Sequence, residues 1–477
     1  MALMRFKFLD SDEEDLIHSQ SLRCLNEIGI QVHSPSVQKM LLDGGAKVDK
    51  KTGVVKIPES LVDEALKKAP KSFTLYSRNP KHNMQLPADN IPYAGTTGLA
   101  IHMNDMEAGK QRSATRKDAI DFARLGDALD PVDFLWSTII PRDVPEESHT
   151  AHELWISLTN SSKHLQQVEC RNSDDAKMQI KLASLIVGGE DELKKRPIFS
   201  VVVSPDSPLV LRKDAIEGQV ELARAGIPII SMDMPLSGMT APVTIAGTLV
   251  IANSENLASL VVTQLAAPGS PHIYSSDAVP GDMATGDVGF GAIEVPMIFS
   301  ALGQMAKRYG LPSMVGDWGL GGGSHPGMHN SYSELSSTTL DTFSGTDLIS
   351  GIGSSDAAKG ASLEQMVIDA FLWKNWKGFL RKMTINEETT ALDVIKSVGH
   401  GNTFLANPHT IKNFRKELYQ KDRNIVAWET DPSNKMVPEA KTIVTRLLKE
   451  HVPAPVDKSI LNEGEKLIMN YERRFKK

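Results

Sequence analysis

The sequence predicts an α/β protein whose main body is a closed (β/α)8 barrel of the TIM-barrel class. Eight short apolar, strand-like runs follow one another along the chain, and each is followed by a polar turn and a segment with helical spacing. The runs begin roughly 30 to 45 residues apart, which is the length of a βα unit. They start at residues 94, 134, 164, 198, 228, 271, 312 and 348.

The chain is longer than such a barrel requires. Its 477 residues exceed the roughly 250 of a minimal barrel, so flanking regions are expected. Residues 1–92 predict an N-terminal α/β cap whose first helix opens at Ser11 and stops at Gly29. Residues 93–385 hold the barrel, with helices expected from residues 207 and 331 among others. Residues 386–477 predict a C-terminal helical extension packed on the barrel.

Composition argues against several partners and locations. The net charge of −7 and the isoelectric point near 6.0 argue against a nucleic-acid partner. Only two cysteines occur, Cys24 and Cys170, which indicates a reducing compartment without a disulfide framework. We read neither a secretory signal nor a run of roughly 18 apolar residues that could span a membrane. The sequence therefore predicts a cytoplasmic protein.

The predicted carboxyl ends of the barrel strands carry carboxylates and aromatic rings but almost no fixed cation. In this class of barrel those ends hold the active site. The carboxylates are Glu169, Asp233 and Asp317, the rings are Trp136, Tyr274 and Trp318, and the cation is Arg142. Such a set favours a positively charged ligand, and a quaternary ammonium suits an aromatic cage. The alternatives are that the rings fill the barrel and the carboxylates cap helices.

Other residues near the predicted mouth narrow the chemistry. No lysine closes a strand, which argues against a Schiff-base mechanism. The glycine-dense run 319–323 contains no lysine or arginine, so it is a weak phosphate site. His325 and His329 have the four-residue spacing of zinc ligands but lack an evident third ligand, so no metal is predicted. Cys170 is interpreted as a buried small residue rather than a nucleophile.

Five stretches of the sequence are similar to the trimethylamine methyltransferase superfamily. They are residues 12–32, 43–80, 253–276, 303–313 and 398–410. The resemblance implies a (β/α)8 barrel that passes a methyl group from a methylated amine to the cobalt of a corrinoid carried by a separate small protein. Trimethylamine-specific members carry pyrrolysine near the end of the seventh strand, whereas residues 316–323 here are standard amino acids. The chain therefore resembles the members without pyrrolysine, which demethylate glycine betaine, proline betaine or carnitine.

The resemblance implies a methyltransferase that moves a methyl group from a quaternary amine to Co(I) of a corrinoid protein. The expected substrate contacts are Trp136, Arg142, Glu169, Asp233, Tyr274 and Trp318. The expected catalytic residues are Asp317, Trp318, His325 and His329, and the expected corrinoid contacts are Gly319, Gly321, Gly322, Gly323 and His409. The protein itself is expected to hold no metal and to form a homo-oligomer.

The chemistry of a quaternary ammonium shapes what the site has to supply. Its leaving group is a neutral tertiary amine, so transfer needs no general acid, and the protein mainly positions the substrate. A tight cage would stabilise the cationic ground state of the substrate more than the transition state, and would therefore slow methyl transfer. We expect instead that the substrate is oriented through its distant carboxylate, which backbone N–H groups, Arg142 or a histidine would hold. Two alternatives stay open: a non-catalytic barrel that binds a quaternary amine or corrinoid, and a barrel lyase that uses the carboxylates as acid and base.

Overall fold

Short helices and strands precede the barrel. The computed structural model describes residues 7–89, 91–105, 110–317, 327, 338–378, 380, 383–418 and 420–475. The first elements are α1 (Ser11–Arg23), β1 (Ile30–Val32), α2 (Pro35–Asp43), β2 (Lys47–Val48), β3 (Val54–Lys56), α3 (Glu59–Lys68), β4 (Phe73–Leu75) and β5 (Met84–Leu86). Asp10 caps α1 through a capping box with Glu13, one residue ahead of the predicted start.

The barrel region alternates strands with helices. Its strands are β6 (Tyr93–Thr96), β7 (His102–Asp105), β8 (Lys110–Ser113), β9 (Phe134–Trp136), β10 (His164–Gln167), β11 (Phe199–Val203), β12 (Val210–Leu211), β13 (Ile229–Asp233), β14 (Leu236–Ser237), β15 (His272–Ser276), β16 (Val279–Pro280), β17 (Ser313–Asp317), β18 (Leu348–Ile352), β19 (Ser354–Ser355) and β20 (Gly360–Ala361). Its helices are α4 (Arg116–Ala128), α5 (His149–Asn160), α6 (Ser173–Val187), α7 (Glu190–Lys195), α8 (Lys213–Arg224), α9 (Ile245–Ala266), α10 (Val295–Arg308), α11 (described over 338–344) and α12 (Leu363–Lys377).

Eight parallel strands close into a barrel in chain order. They are β6, β9, β10, β11, β13, β15, β17 and β18, and β18 returns to pair with β6. Each of the eight apolar runs that the sequence singles out contains one of these strands, so the predicted (β/α)8 barrel is confirmed. Most of these strands are buried on both faces, which explains why they read as continuous apolar runs rather than as alternating patterns.

The interior of the barrel is filled by apolar side chains, and the hairpin β4–β5 packs against this filling. Leu75, Met84 and Leu86 of the hairpin join one cluster with side chains from the strands. The strand members of the cluster are Phe134, Val202, Ile230, Met232, Ile273, Met314 and Leu348. Because this cluster excludes water from the middle of the barrel, a small ligand has to bind above it, toward the carboxyl ends of the strands.

The helix α9 serves the core of the protein. Among the described residues it is the one helix long and apolar enough to match a membrane span, which the sequence reading did not expect. Of its most apolar 18-residue window, 72% is buried inside the fold, where α9 packs against α1, α3 and the strands β13 and β15. Most of the apolar surface of α9 is thus buried by packing within the protein.

One predicted helix starts later than expected. The sequence predicts a helix from residue 207, but Val210–Leu211 form β12, which pairs in parallel with β1, and α8 begins at Lys213. The Gln31 N–H donates to the Leu209 carbonyl beside this pair. Long-range pairing with the N-terminal region therefore overrides the local helical spacing.

The C-terminal residues that the structure describes are helical. Their elements are α13 (Glu387–Thr390), α14 (Leu392–Val398), α15 (Pro408–Glu417), α16 (Arg423–Thr430), α17 (Val437–Glu450) and α18 (Lys458–Glu472). The helix α17 packs on α4 and α12, and α18 packs on α5 and α6. Trp155 of α5 lies in one apolar cluster with Ile468 and Tyr471. The domain limits at residues 92 and 385 stay predictions.

Candidate active site at the carboxyl ends of the barrel strands

Trp136 and Gln166 lie side by side in the barrel interior. Phe134, two residues before Trp136 on β9, belongs to the internal cluster, and side chains two positions apart share a face. On β10, Leu165 packs in the cluster formed with the outer helices, so Gln166 points inward. The two residues are paired in the sheet register, and paired strands are about 4.8 Å apart. The indole and the carboxamide are therefore neighbours.

Both side chains carry donors that lack a protein partner. Trp136 Nε1 and Gln166 Nε2 are buried, and no described residue accepts a hydrogen bond from either atom. Gln166 is 1% exposed. The backbone at Gly98 comes so close to the indole that a Cβ there would lie 2.6 Å from a ring atom. A buried polar group without a partner costs about 1–3 kcal/mol, so an acceptor bound between these two donors would be stabilised.

The barrel strands contribute no positive charge to the interior. None of the residues in the eight strands is a lysine or arginine. His164 Nδ1 lies 2.6 Å from the Tyr76 carbonyl oxygen, and His164 Nε2 lies 3.0 Å from Ser200 Oγ. Burial lowers the pKa of His164 to about 4. Burial likewise lowers the pKa of His272 to about 3. Both imidazoles are neutral at pH 7, and His272 faces α9, where its Nδ1 lies 3.2 Å from Thr263 Oγ1. The strands therefore present no positive charge to a ligand in the interior.

A carboxylate–imidazole–carboxylate cluster stands where β10 ends. His149, at the start of α5, places Nδ1 2.7 Å from Glu153 Oε1 and Nε2 3.4 Å from Glu169 Oε1. Gln167 Nε2 donates to the second oxygen of Glu153 at 3.2 Å. The Glu153 side chain is 1% exposed, whereas that of Glu169 is 50% exposed. The cluster thus runs from the buried α5–β10 contact to solvent at the rim.

The charges of this cluster follow from burial and from its hydrogen bonds. Burial alone would lower the pKa of His149, but the hydrogen bonds to Glu153 and Glu169 outweigh it and raise that pKa to about 9. Burial raises the pKa of Glu153 to about 7 against the opposing influence of His149. The hydrogen bond from His149 lowers the pKa of Glu169, with smaller contributions from Arg171 and Arg212. Glu169 is therefore an anion at the rim at pH 7.

Asp233 does not contribute negative charge to the mouth, contrary to the sequence prediction. It is fully buried, and its carboxyl accepts hydrogen bonds from Asn256 Nδ2 of α9 and from Ser276 Oγ. Burial, together with the nearby carboxyl of Glu255, raises the pKa of Asp233 well above its ordinary value. Because its neighbour Met232 faces the interior, Asp233 points to the helices, and its raised pKa disfavours the charged carboxylate there.

Tyr274 is not a wall of the mouth either. Its side chain is 1% exposed and belongs to the apolar cluster between the strands and the outer helices. Its hydroxyl donates to Asn253 Oδ1 of α9 at 3.1 Å, and its ring lies 6.3 Å from that of Tyr309. The inward residue on this strand is Ile273, so a cage built around Tyr274 is wrong.

The remaining predicted residues are scattered or lie outside the described part of the chain. Arg142 is exposed after β9, and its N–H donates to the Ala114 carbonyl. His409 is in the first turn of α15, where its N–H donates to Asn407 Oδ1. Asp317 ends β17, with its side chain outside the described atoms. Also outside the described residues are Trp318, Gly319, Gly321, Gly322, Gly323, His325 and His329.

The interpretation of Cys170 agrees with its surroundings. The thiol is 6% exposed and donates to the Asn172 carbonyl, and burial raises its pKa well above the ordinary value. Such a thiol is a poor nucleophile. Within the described residues, no group of three or more histidines, cysteines or acids is arranged to hold a metal ion.

The sequence analysis missed three residues of the site. Gln166 lies two residues after His164 on β10, so the two polar side chains share one face of the strand. Two polar residues on one face of a buried strand were a signal that this face points inward. His149 and Glu153 have the i, i+4 spacing that places two side chains on one helix face. Their link to Glu169 depends on how α5 packs on β10, which the spacing does not encode.

The closed parallel barrel, with its polar groups at the carboxyl ends of the strands, defines a protein of the (β/α)8-barrel class. Residues 2–475 match the family model described as "Trimethylamine methyltransferase (MTTB)", and the chain belongs to this family. This confirms the resemblance drawn from the sequence. The family and the names of the relatives indicate a methyltransferase that acts on an amine.

The relatives cover nearly the whole chain. Trimethylamine methyltransferase MttB of Desulfitobacterium hafniense is 32% identical over 466 residues, covering 95% of this chain and 93% of the relative. Glycine betaine methyltransferase of D. hafniense strain Y51 is 28% identical over 465 residues, covering 96% and 95%. The crystal structure of the Methanosarcina barkeri monomethylamine methyltransferase (MtmB) aligns with a TM-score of 0.51 at 13% identity, covering 98% of this chain and 88% of that one. This last likeness supports the fold alone.

Proposed function

We propose that this protein transfers a methyl group from a quaternary amine of the glycine betaine, proline betaine or carnitine type to Co(I) of a corrinoid bound by a separate small protein. The observation that carries the proposal is the absence of positive charge on the eight barrel strands, which hold no lysine or arginine and whose buried histidines, His164 and His272, are uncharged. A permanently cationic substrate can enter such an interior without electrostatic repulsion. Family membership supplies the reaction class.

The reaction balances without a proton. The Co(I) electron pair forms a bond to the methyl carbon, and the C–N bond breaks with its electrons left on nitrogen. The products are a neutral tertiary amine and a methyl group on Co(III), so cobalt is oxidised by two electrons. Since the leaving group is neutral, the protein has to hold the substrate in line and exclude water rather than supply an acid.

Standard residues after β17 favour a quaternary substrate over trimethylamine. The resemblance places pyrrolysine at that point in the trimethylamine-specific members, whereas this chain has glycine, aspartate and tryptophan from residue 316 to residue 319. A protonated or neutral tertiary amine is a poorer methyl donor than a quaternary ammonium and needs additional activation. Asp317, Trp318, His325, His329 and the glycine run 319–323 keep their proposed roles near the reacting methyl group and the corrinoid, and His409 keeps its proposed corrinoid contact.

The negative potential of the mouth is assigned to Glu169 rather than to Asp233. Glu169 is half exposed and is held by His149, whereas Asp233 is buried among the helices, where burial raises its pKa. An anionic rim attracts a cationic substrate from solution, and this attraction weakens as salt screens it. Trp136 keeps its proposed role as a cage ring, supported by its packing against the apolar cluster inside the barrel.

The test is a methyl-transfer assay with reduced corrinoid. The purified protein is incubated with Co(I) corrinoid protein, or with free cob(I)alamin, and with a panel of glycine betaine, proline betaine, carnitine and trimethylamine. The proposal expects a tertiary amine and methylated cobalt from at least one quaternary amine, with trimethylamine inactive. Saturable binding of a quaternary amine without either product would instead indicate the non-catalytic barrel. Nanomolar affinity for the free betaine would contradict a loose, positioning site.

A further inference from the structure

The geometry points to a carboxylate-binding subsite in the barrel interior. Its two hydrogen-bond donors are Trp136 Nε1 and Gln166 Nε2, and its ligand is the carboxylate of a betaine. This inference rests on the proposed function and replaces Arg142 as the holder of the carboxylate. Two buried donors, from which no described residue accepts a hydrogen bond, stand on neighbouring strands at paired positions. Both side chains face the interior, and Gln166 is more than nine-tenths buried.

A carboxylate matches these donors in charge and in number. Its oxygens only accept hydrogen bonds, and the indole N–H and amide N–H only donate. A betaine brings its own positive charge, so binding it leaves the interior neutral overall and needs no lysine or arginine. Held at its carboxylate end, the substrate turns its ammonium group away from the donors, which gives the in-line orientation that methyl transfer requires.

Gly98 fixes the indole that supplies one of the donors. The backbone there passes so close to the indole that any larger residue would displace the ring. Thr96 Oγ1 accepts a hydrogen bond from the backbone N–H of Trp136 at 2.9 Å and holds the strand at this level. The position of the donor is therefore set by the fold before a ligand arrives.

The experiment compares substrates with and without a carboxylate. Trp136→Phe keeps an aromatic ring but removes the N–H, and Gln166→Met keeps the length of the side chain but removes the amide. A hydrogen bond to a charged group corresponds to about a tenfold to hundredfold change, so each variant should raise the KM or Kd for glycine betaine by that factor. Tetramethylammonium, which has no carboxylate, should change by less than about twofold. The matched control is Gln31→Met at an exposed glutamine, which should change neither.

Equal losses for both compounds would overturn the subsite, because the donors would then serve a bound water or the packing of the barrel. Unchanged binding of both would overturn it as well. Equilibrium dialysis with labelled glycine betaine keeps this test independent of turnover. If the wild-type protein binds betaine through these donors but methylates no cobalt, the proposed function fails while the subsite stands.

A second, independent observation concerns an apolar surface on the C-terminal helices. We define the arm as residues 383–418, which include α13, α14 and α15; these three helices contain no buried residue. The large apolar side chains exposed on the arm are Met383, Ile385, Leu392, Ile395, Phe404, Leu405, Ile411, Phe414 and Leu418. Their exposed fractions range from 38% for Phe414 to 80% for Leu405.

Such an arm needs a partner. Its helices have 4, 7 and 10 residues, and isolated helices shorter than about 12 residues are marginal in water. Nine exposed apolar side chains offer on the order of 800 Å², which is the area that one partner contributes to a stable interface. Interfaces of permanent homomers are more hydrophobic than those of transient complexes, so the apolar character of this surface favours a permanent homomer over a carrier that docks and leaves.

We propose that the partner is the arm of a second copy of this chain. Four acidic and four basic residues balance the arm, although the whole chain carries −7. They are Glu387, Glu388, Asp393, Glu417, Lys396, Lys412, Arg415 and Lys416. The acidic residues concentrate toward α13 and the basic ones on α15, and Lys412 Nζ already lies 3.4 Å from Glu388 Oε1 of the same arm. A two-fold arrangement can set the remaining opposite charges against each other as the same patch meets itself. This gives the homo-oligomer expected from the sequence a specific interface.

Sedimentation velocity tests this interface on the full chain. Leu405→Glu and Ile411→Glu should weaken self-association at least about tenfold, since each places a charge in an apolar contact. Leu16→Glu on α1, which is 57% exposed, is the matched control and should leave association unchanged. A monomeric wild-type protein, or arm variants that associate as tightly as the wild type, would overturn the interface. Arm variants that stay associated but lose transfer to the corrinoid protein would assign the arm to the carrier instead.

Discussion

The His149 cluster gives the protein a pH-dependent stability that can be worked out from its contacts. The pKa of His149 rises from 6.5 to about 9 because Glu153 and Glu169 hold its charged form. Each factor of ten in proton affinity is worth about 1.4 kcal/mol, so the shift corresponds to about 3 kcal/mol. We reduce this to about 2 kcal/mol, because Glu169 is half exposed and solvent screens its half of the interaction.

The sign follows from the raised pKa. Below about pH 6.5 both the folded and the unfolded chain bind the proton, and the full contribution is present. As the pH rises from 6.5 through about 9, the unfolded chain loses the proton first and the contribution disappears. Burial raises the pKa of Glu153 to about 7. Glu153 therefore adds a second loss of stability as the pH rises from 4.5 to 7.

The assay is urea unfolding between pH 6 and pH 10. The wild-type protein should lose about 2 kcal/mol of unfolding free energy between about pH 6.5 and pH 9 beyond what His149→Gln loses. His400→Gln, at an exposed histidine of the arm, serves as the control and should follow the wild type. Parallel curves for the wild type and His149→Gln would refute the cluster as the source of the pH dependence.

Three further predictions concern single side chains. Gly98→Ala should raise the KM for a quaternary amine several-fold, because its Cβ would push the Trp136 indole; methyl-transfer kinetics checks this, and an unchanged KM would contradict the placement of the ring. Tyr274→Phe should cost about 1 kcal/mol of unfolding free energy by removing its hydroxyl hydrogen bond, with the KM unchanged, and a raised KM would return this ring to the cage. Lys163→Met should cost about 2–4 kcal/mol, because the buried ammonium donates to two carbonyls at the end of α4; denaturant unfolding measures it, and a loss below about 0.5 kcal/mol would contradict that role.

The fold could be predicted because the barrel repeats one pattern many times. Most of the barrel strands are buried on both faces and read as apolar runs, and helices separate these runs, so the period survives local irregularities. The errors fall where contacts distant in sequence decide. Val210–Leu211 form a strand because β1 lies beside them, although the local spacing is helical.

The candidate site could be predicted less completely. A position at the end of a strand fixes how far along the barrel axis a residue lies, but not whether its side chain faces the interior or the helices. Asp233 and Trp136 both end strands, yet Asp233 turns to α9 while Trp136 faces the interior. Successive strand residues alternate sides, so an error of one position exchanges the lumen for the helix layer. The predicted site residues were chosen as strand ends, without deciding which of them face the interior and which face the helices.

The sequence by itself determined the barrel, the order of its strands and the family, because these depend on a periodic apolar pattern and on strings that run along the whole chain. Only the tertiary structure decided which polar groups meet. It joined His149 to two glutamates from different elements, raised the pKa of Asp233 by burial, and set beside each other two interior donors from which no described residue accepts a hydrogen bond. The physical reason is that charge state and hydrogen bonding depend on distance and burial, which are properties of packing rather than of order along the chain.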